Sequence, residues 1–111
     1  MITDTKTIIT LLQSKIGELT PRQVSDFTVV LSISYGNLGQ ELAEADMAYA
    51  KVWLDIKEGC DTVAEAEMRA KATPEYLKKK KLEYATKGLL QTIQALKKRQ
   101  NVLADEARGQ Y

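Results

Sequence analysis

Lysines dominate the reactive side chains of this sequence. Lys78, Lys79, Lys80 and Lys81 are consecutive, Lys87 follows, and Lys97, Lys98 and Arg99 close the series. On a helix turning about 100° per residue, Lys80, Lys87 and Lys98 share one side, with Gln91 and Gln94 between them. Cations in such a row can neutralise backbone phosphates but read no bases. Lys80, Lys87, Lys98, Lys78, Lys79 and Arg99 are therefore the candidate nucleic-acid-binding set. The competing reading is a solvated helix face whose charges only flank a helix pair. The 111 residues include no His, which removes the usual general base, the commonest metal ligand and every Ser-His or Cys-His pair. Glu41, Glu44 and Asp55 lack the Glu-x-x-His partner of a di-iron bundle, and no phosphate loop or EF-hand pattern occurs. Cys60 has no basic neighbour in sequence to activate it. No catalytic residue, metal ligand or cofactor is expected, and the chain reads as a non-enzyme.

The elements that must position these charges are helices. Ala, Leu, Glu, Lys, Gln, Arg and Met fill 60 of the 111 positions, and they are the strongest helix formers. Ile8, Leu11, Leu12 and Ile16 give residues 4–18 one apolar face, an amphipathic arm that has to dock. Thr20-Pro21-Arg22-Gln23 is a capping-box start for a helix over 21–58. Its seam runs Val24, Leu31, Leu38, Ala45 and Val52, interleaved with Thr28, Tyr35, Leu42, Tyr49 and Ile56. Within it, Phe27 to Ser34 favours strand, and Gly36 and Gly39 each cost about 1 kcal/mol relative to Ala, so a bend or break is expected near 36–39. Gly59 suits a left-handed cap. Thr62-Val-Ala-Glu65 restarts a short helix over 62–72.

Thr73-Pro74 opens the last helix, which runs over 74–108 and stops at Gly109. Leu82, Leu89, Leu96 and Leu103 recur every seven residues, with Thr86, Ile93, Gln100 and Ala107 four positions after each. Thirty-five residues at 1.5 Å would reach about 52 Å, far beyond the radius of gyration near 13 Å of a compact chain this size. The leucine stripe needs a cover, either the 40–58 helix as a hairpin partner or a second chain. Leu82, Leu89, Ile93, Leu96, Leu103, Leu42, Tyr49, Val52, Trp53 and Ile56 form that candidate hairpin or oligomer seam. The expected fold is all-α: one domain, an elongated helical hairpin or coiled-coil-like bundle with a short N-terminal arm.

The near-neutral balance of 16 basic and 15 acidic residues hides a split. Residues 40–67 hold eight acids and two lysines, a net of −6; residues 69–99 hold ten bases and two acids, a net of +8. Opposite signs on successive helices suit an antiparallel pair. The longest mainly apolar run, Phe27 to Ile33, is too short to span a membrane, no leader is evident, and a lone cysteine points to the cytoplasm.

Tyr49-Ala-x-x-Trp53, Gly59-Cys-Asp-Thr-Val-Ala-Glu-Ala-Glu67, Leu96-Lys-Lys-Arg-x-x-Val-Leu103 and Glu106-Ala-Arg-Gly109 carry a resemblance over residues 40–109. They resemble the small helical proteins that bacteriophages and prophages carry in early regions near recombination genes. That resemblance implies an accessory protein in the cytoplasm of a bacterial host, acting beside single-strand annealing or single-strand binding proteins. The first expectation is a self-associating interaction protein that serves recombination or replication through protein partners. The alternatives are a sequence-nonspecific nucleic-acid binder using the lysine ridge and an inhibitor of a host defence protein whose acidic helix imitates phosphate charge.

Overall fold

The computed structural model describes residues 5–109, and it makes the chain all-α. Helix α1 spans Thr5–Lys15 and passes into a 3-10 turn, Ile16–Glu18; α2 spans Pro21–Glu58, α3 Val63–Ala70 and α4 Pro74–Ala107. Residue 4, which the sequence assigns to the arm, lies outside the described residues.

Side chains set the helix starts. At α2 the capping box closes in both directions: the Gln23 amide donates to Thr20 Oγ1 at 3.2 Å, and the Thr20 amide donates to Gln23 Oε1 at 3.0 Å. At α3 the Glu65 amide donates to Thr62 Oγ1 at 3.1 Å, but the Glu65 carboxylate turns to Arg69 at 2.8 Å instead of reaching back. Thr73 joins two elements. Its hydroxyl donates to the last α3 carbonyl, Ala70, at 2.6 Å and accepts from the Tyr76 amide in the first turn of α4 at 3.3 Å.

Of the bend or break expected near 36–39, a break is absent: α2 is helical through both glycines, as the phase of its seam implies. The strand-favouring stretch is overruled by helical spacing: Val24, Phe27 and Leu31 are buried on one face while Val29 and Ile33 remain exposed on the other. Period two would have buried the wrong set. Thr28 and Thr86, both seam positions, donate their hydroxyls to the carbonyls of Val24 and Leu82 at 2.7 Å. Each hydroxyl is thereby satisfied within its own helix.

Gly59 is not a left-handed cap. Among the described residues only Gly109 has a positive φ, +70°, and it terminates α4 as its spacing implied. At the end of α2 the Gly59 and Cys60 amides donate to the carbonyls of Ile56 and Lys57, each at 3.1 Å. This tightening to three-residue bonds satisfies the orphan carbonyls without a left-handed residue.

The chain divides into two compact units. The first contains the residues up to Gly36 and those from Lys87 onward; the second is Asn37–Thr86. In the first unit α1, the start of α2 and the second part of α4 bury Ile8, Leu12, Leu19, Val24, Phe27, Leu31, Leu89, Ile93 and Leu96. The arm is docked. Arg99 Nη2 on α4 donates to the Gly17 carbonyl in the 3-10 turn at 2.9 Å, fixing the arm's end to the helix.

The second unit contains the rest of α2, all of α3 and the first part of α4. Its long helices run antiparallel: Asp46 pairs with Lys79 at 3.8 Å, and three residues further along α2 the Tyr49 ring meets Tyr76, three residues back along α4, at 5.5 Å between centroids. That is the expected hairpin, closed within one chain. Its buried apolar residues are alanines, Ala45, Ala66 and Ala70.

Candidate interaction surface

Helix α4 carries eight of the 16 basic residues, and its two parts use them differently. In the first unit Lys87, Gln91, Gln94 and Lys98 lie at helical spacing and are all exposed. Eleven residues at about 100° bring Lys87 and Lys98 to within about 20° of one another, so this face is wet and cationic. Among the described residues neither lysine takes part in an ion pair. Arg99 behaves otherwise: it is half-buried, held by the Gly17 carbonyl, and its Nε is buried without a partner.

In the second unit Lys79 belongs to the hairpin. Its ammonium sits 4.8 Å from the Tyr49 ring centroid as well as beside Asp46, so a cation proposed for a polyanion closes the helix pair instead. Lys80 Nζ bonds Glu83 Oε2 at 3.1 Å and lies 5.6 Å from the Tyr76 ring centroid. The hydrogen bond to Glu83 comes first among the causes that hold its pKa above the ordinary lysine value, followed by the charge of that same carboxylate. Of the six candidate cations, Lys78, Lys87 and Lys98 are exposed, whereas Lys79, Lys80 and Arg99 are committed to neighbours within the chain.

The seam residues follow the expected stripe with graded burial. Leu89, Ile93 and Leu96 are buried, while Leu82, Leu103, Leu42, Tyr49, Val52, Trp53 and Ile56 are half-buried. Trp53 is neither a fully enclosed anchor nor an exposed platform.

Charge spacing alone did not reveal a groove in the second unit. Glu41 and Glu44 on α2 face Pro74, Leu77, Lys78, Lys81 and Leu82 on α4 around a cavity of about 460 Å³. The signal was present in the sequence as the acid–base split between these helices, but its placement required the register that Asp46–Lys79 and Tyr49–Tyr76 establish. The second unit also exposes large apolar side chains: Met47, Leu54, Val63, Met68, Leu77 and Tyr84 are each more than half accessible. No three His, Cys, Asp or Glu side chains among the described residues are grouped to hold a metal ion. No helix among them is long and apolar enough to cross a membrane. Compared with protein-family models, with curated proteins and with solved structures, the chain finds no match.

Proposed function

We propose that this chain is a non-enzymatic bacteriophage or prophage accessory protein that self-associates and serves DNA recombination or replication through protein partners. The viral setting and the process rest on the sequence resemblance over residues 40–109. Association rests on one observation, the imbalance of the second unit: its buried apolar residues are alanines, while Met47, Leu54, Met68, Leu77 and Tyr84 stand in solvent. Small folding units that cannot enclose enough apolar surface are commonly completed by another chain. Single exposed apolar side chains are ordinary on protein surfaces, but here five large ones are exposed in a unit whose fully buried apolar residues are all alanines, an imbalance that a second chain would relieve. Light scattering on the full chain tests the reading. More than one chain per particle is expected, and a single chain at every concentration would contradict it.

A second reading, sequence-blind contact with nucleic-acid backbones, is favoured by the exposed face of Lys87, Gln91, Gln94 and Lys98. It requires binding to a labelled single strand that weakens steeply with salt and drops in a Lys87→Glu, Lys98→Glu variant. Binding indifferent to both would end it.

A further inference from the structure

The groove of the second unit has one acidic wall and one basic wall. Glu41 and Glu44 are three residues apart on α2, and Lys78 and Lys81 are three apart on α4, so each pair lies along one helix face. Pro74, Leu77 and Leu82 of α4 also line the groove, and Leu77, beside Lys81 on the outer side of the basic wall, is 55% exposed. Among the described residues none of the four charges belongs to an ion pair, although Asp46 and Lys79 close one between the same two helices. The register thus leaves two acids and two bases without partners around an uncovered leucine.

Such a surface is complementary to itself. A twofold rotation lays the acidic wall of one copy over the basic wall of the other and, by symmetry, repeats the match on the far side of the axis. Pairing in this way also covers the apolar lining of both grooves, so burial supplies the attraction while the charges select orientation and register. We propose that this groove is the surface through which two copies of the chain pair, in an isologous dimer with each Glu41–Glu44 wall against the partner's lysine wall. The assignment rests on the self-association proposed above, and it names the site. A helix from a different protein would need the same pair of oppositely charged edges, a pattern this chain already carries.

Charge reversal with a mixing step tests it by sedimentation velocity, with helical content followed by circular dichroism. The wild-type chain is expected to sediment as a dimer. Glu41→Lys with Glu44→Lys makes all four groove charges positive, Lys78→Glu with Lys81→Glu makes all four negative, and each variant alone should lose the dimer. An equimolar mixture of the two should restore it, because every facing pair of walls is again opposite in sign. A chain carrying all four reversals keeps its own balance; it should dimerise with itself and refuse labelled wild-type chain. Wild-type dimers unaffected by every reversal, or reversed variants that no mixture rescues, would overturn the groove assignment while leaving self-association in place through another surface. A wild-type chain that remains single would instead remove the self-association reading and this site with it.

Discussion

Truncating Leu96 to Ala separates the residues that hold the fold from those that merely lie on it. Leu96 is among the side chains with no accessible surface, in the first unit beside Ile93 and Leu89 on the same face of α4. Removing its outer carbons forfeits their burial and leaves a cavity that neighbours fill only in part, a loss of about 2–5 kcal/mol. Against a total stability of about 5–15 kcal/mol, that is a third or more for many values in the range. At about 4 °C per kcal/mol for a chain of this size, the midpoint of thermal unfolding should fall by about 8–20 °C. The matched control is Val29→Ala, on the outward face of α2 at 57% exposure, which should stay within about 0.5 kcal/mol of wild type. Urea unfolding followed by circular dichroism measures both, at low chain concentration so that association does not contribute. A Leu96→Ala cost below about 1 kcal/mol, or a Val29→Ala cost equal to it, would refute the assignment of the core to that face.

Three further outcomes follow from local geometry. Thr20→Ala removes one half of the reciprocal cap at the start of α2 and should lower stability by about 1 kcal/mol in the same urea assay; no change would mean the box is not formed in solution. Gly36→Ala and Gly39→Ala should each stabilise by about 0.5–1 kcal/mol, because both sites are helical and an added Cβ meets nothing within 4 Å; a loss of stability would show that the helix does not run straight through. Glu83→Gln should return the titration of Lys80, read by NMR at its side chain, downward to the ordinary lysine range. Because pairing raises the folded-state value, its contribution is present below the unfolded lysine pKa and disappears as pH rises through the folded one. An unchanged midpoint would detach Lys80 from Glu83.

Much of the architecture was legible because it depends on local signals. Thr20, Pro21 and Gln23 announce the start of α2, Thr73 and Pro74 that of α4, and Gly109 its end, since caps are formed by neighbours in sequence. The seam from Val24 through Leu31 to Ala45 is equally readable, as helical spacing holds across both glycines. What escaped were features set by packing between elements. Gly59 looked like a left-handed cap, but three-residue hydrogen bonds at Ile56 and Lys57 sufficed to end the helix. Residue type does not separate Lys79 and Arg99 from the exposed cations, because it says nothing of what lies across the helix, and what lies there is Asp46 with Tyr49 in one case and the Gly17 carbonyl in the other. The groove between Glu41, Glu44, Lys78 and Lys81 needs the interhelix register, which an acid–base split suggests without specifying.

The second unit is proposed to be finished by another chain. Amide hydrogen exchange, compared at low and high chain concentration, addresses it most directly. Protection should rise with concentration in residues 41–44 and 74–82 and stay constant around Leu31 and Leu96, whose environment is complete within one chain. Exchange that is independent of concentration throughout residues 37–86 would contradict the claim.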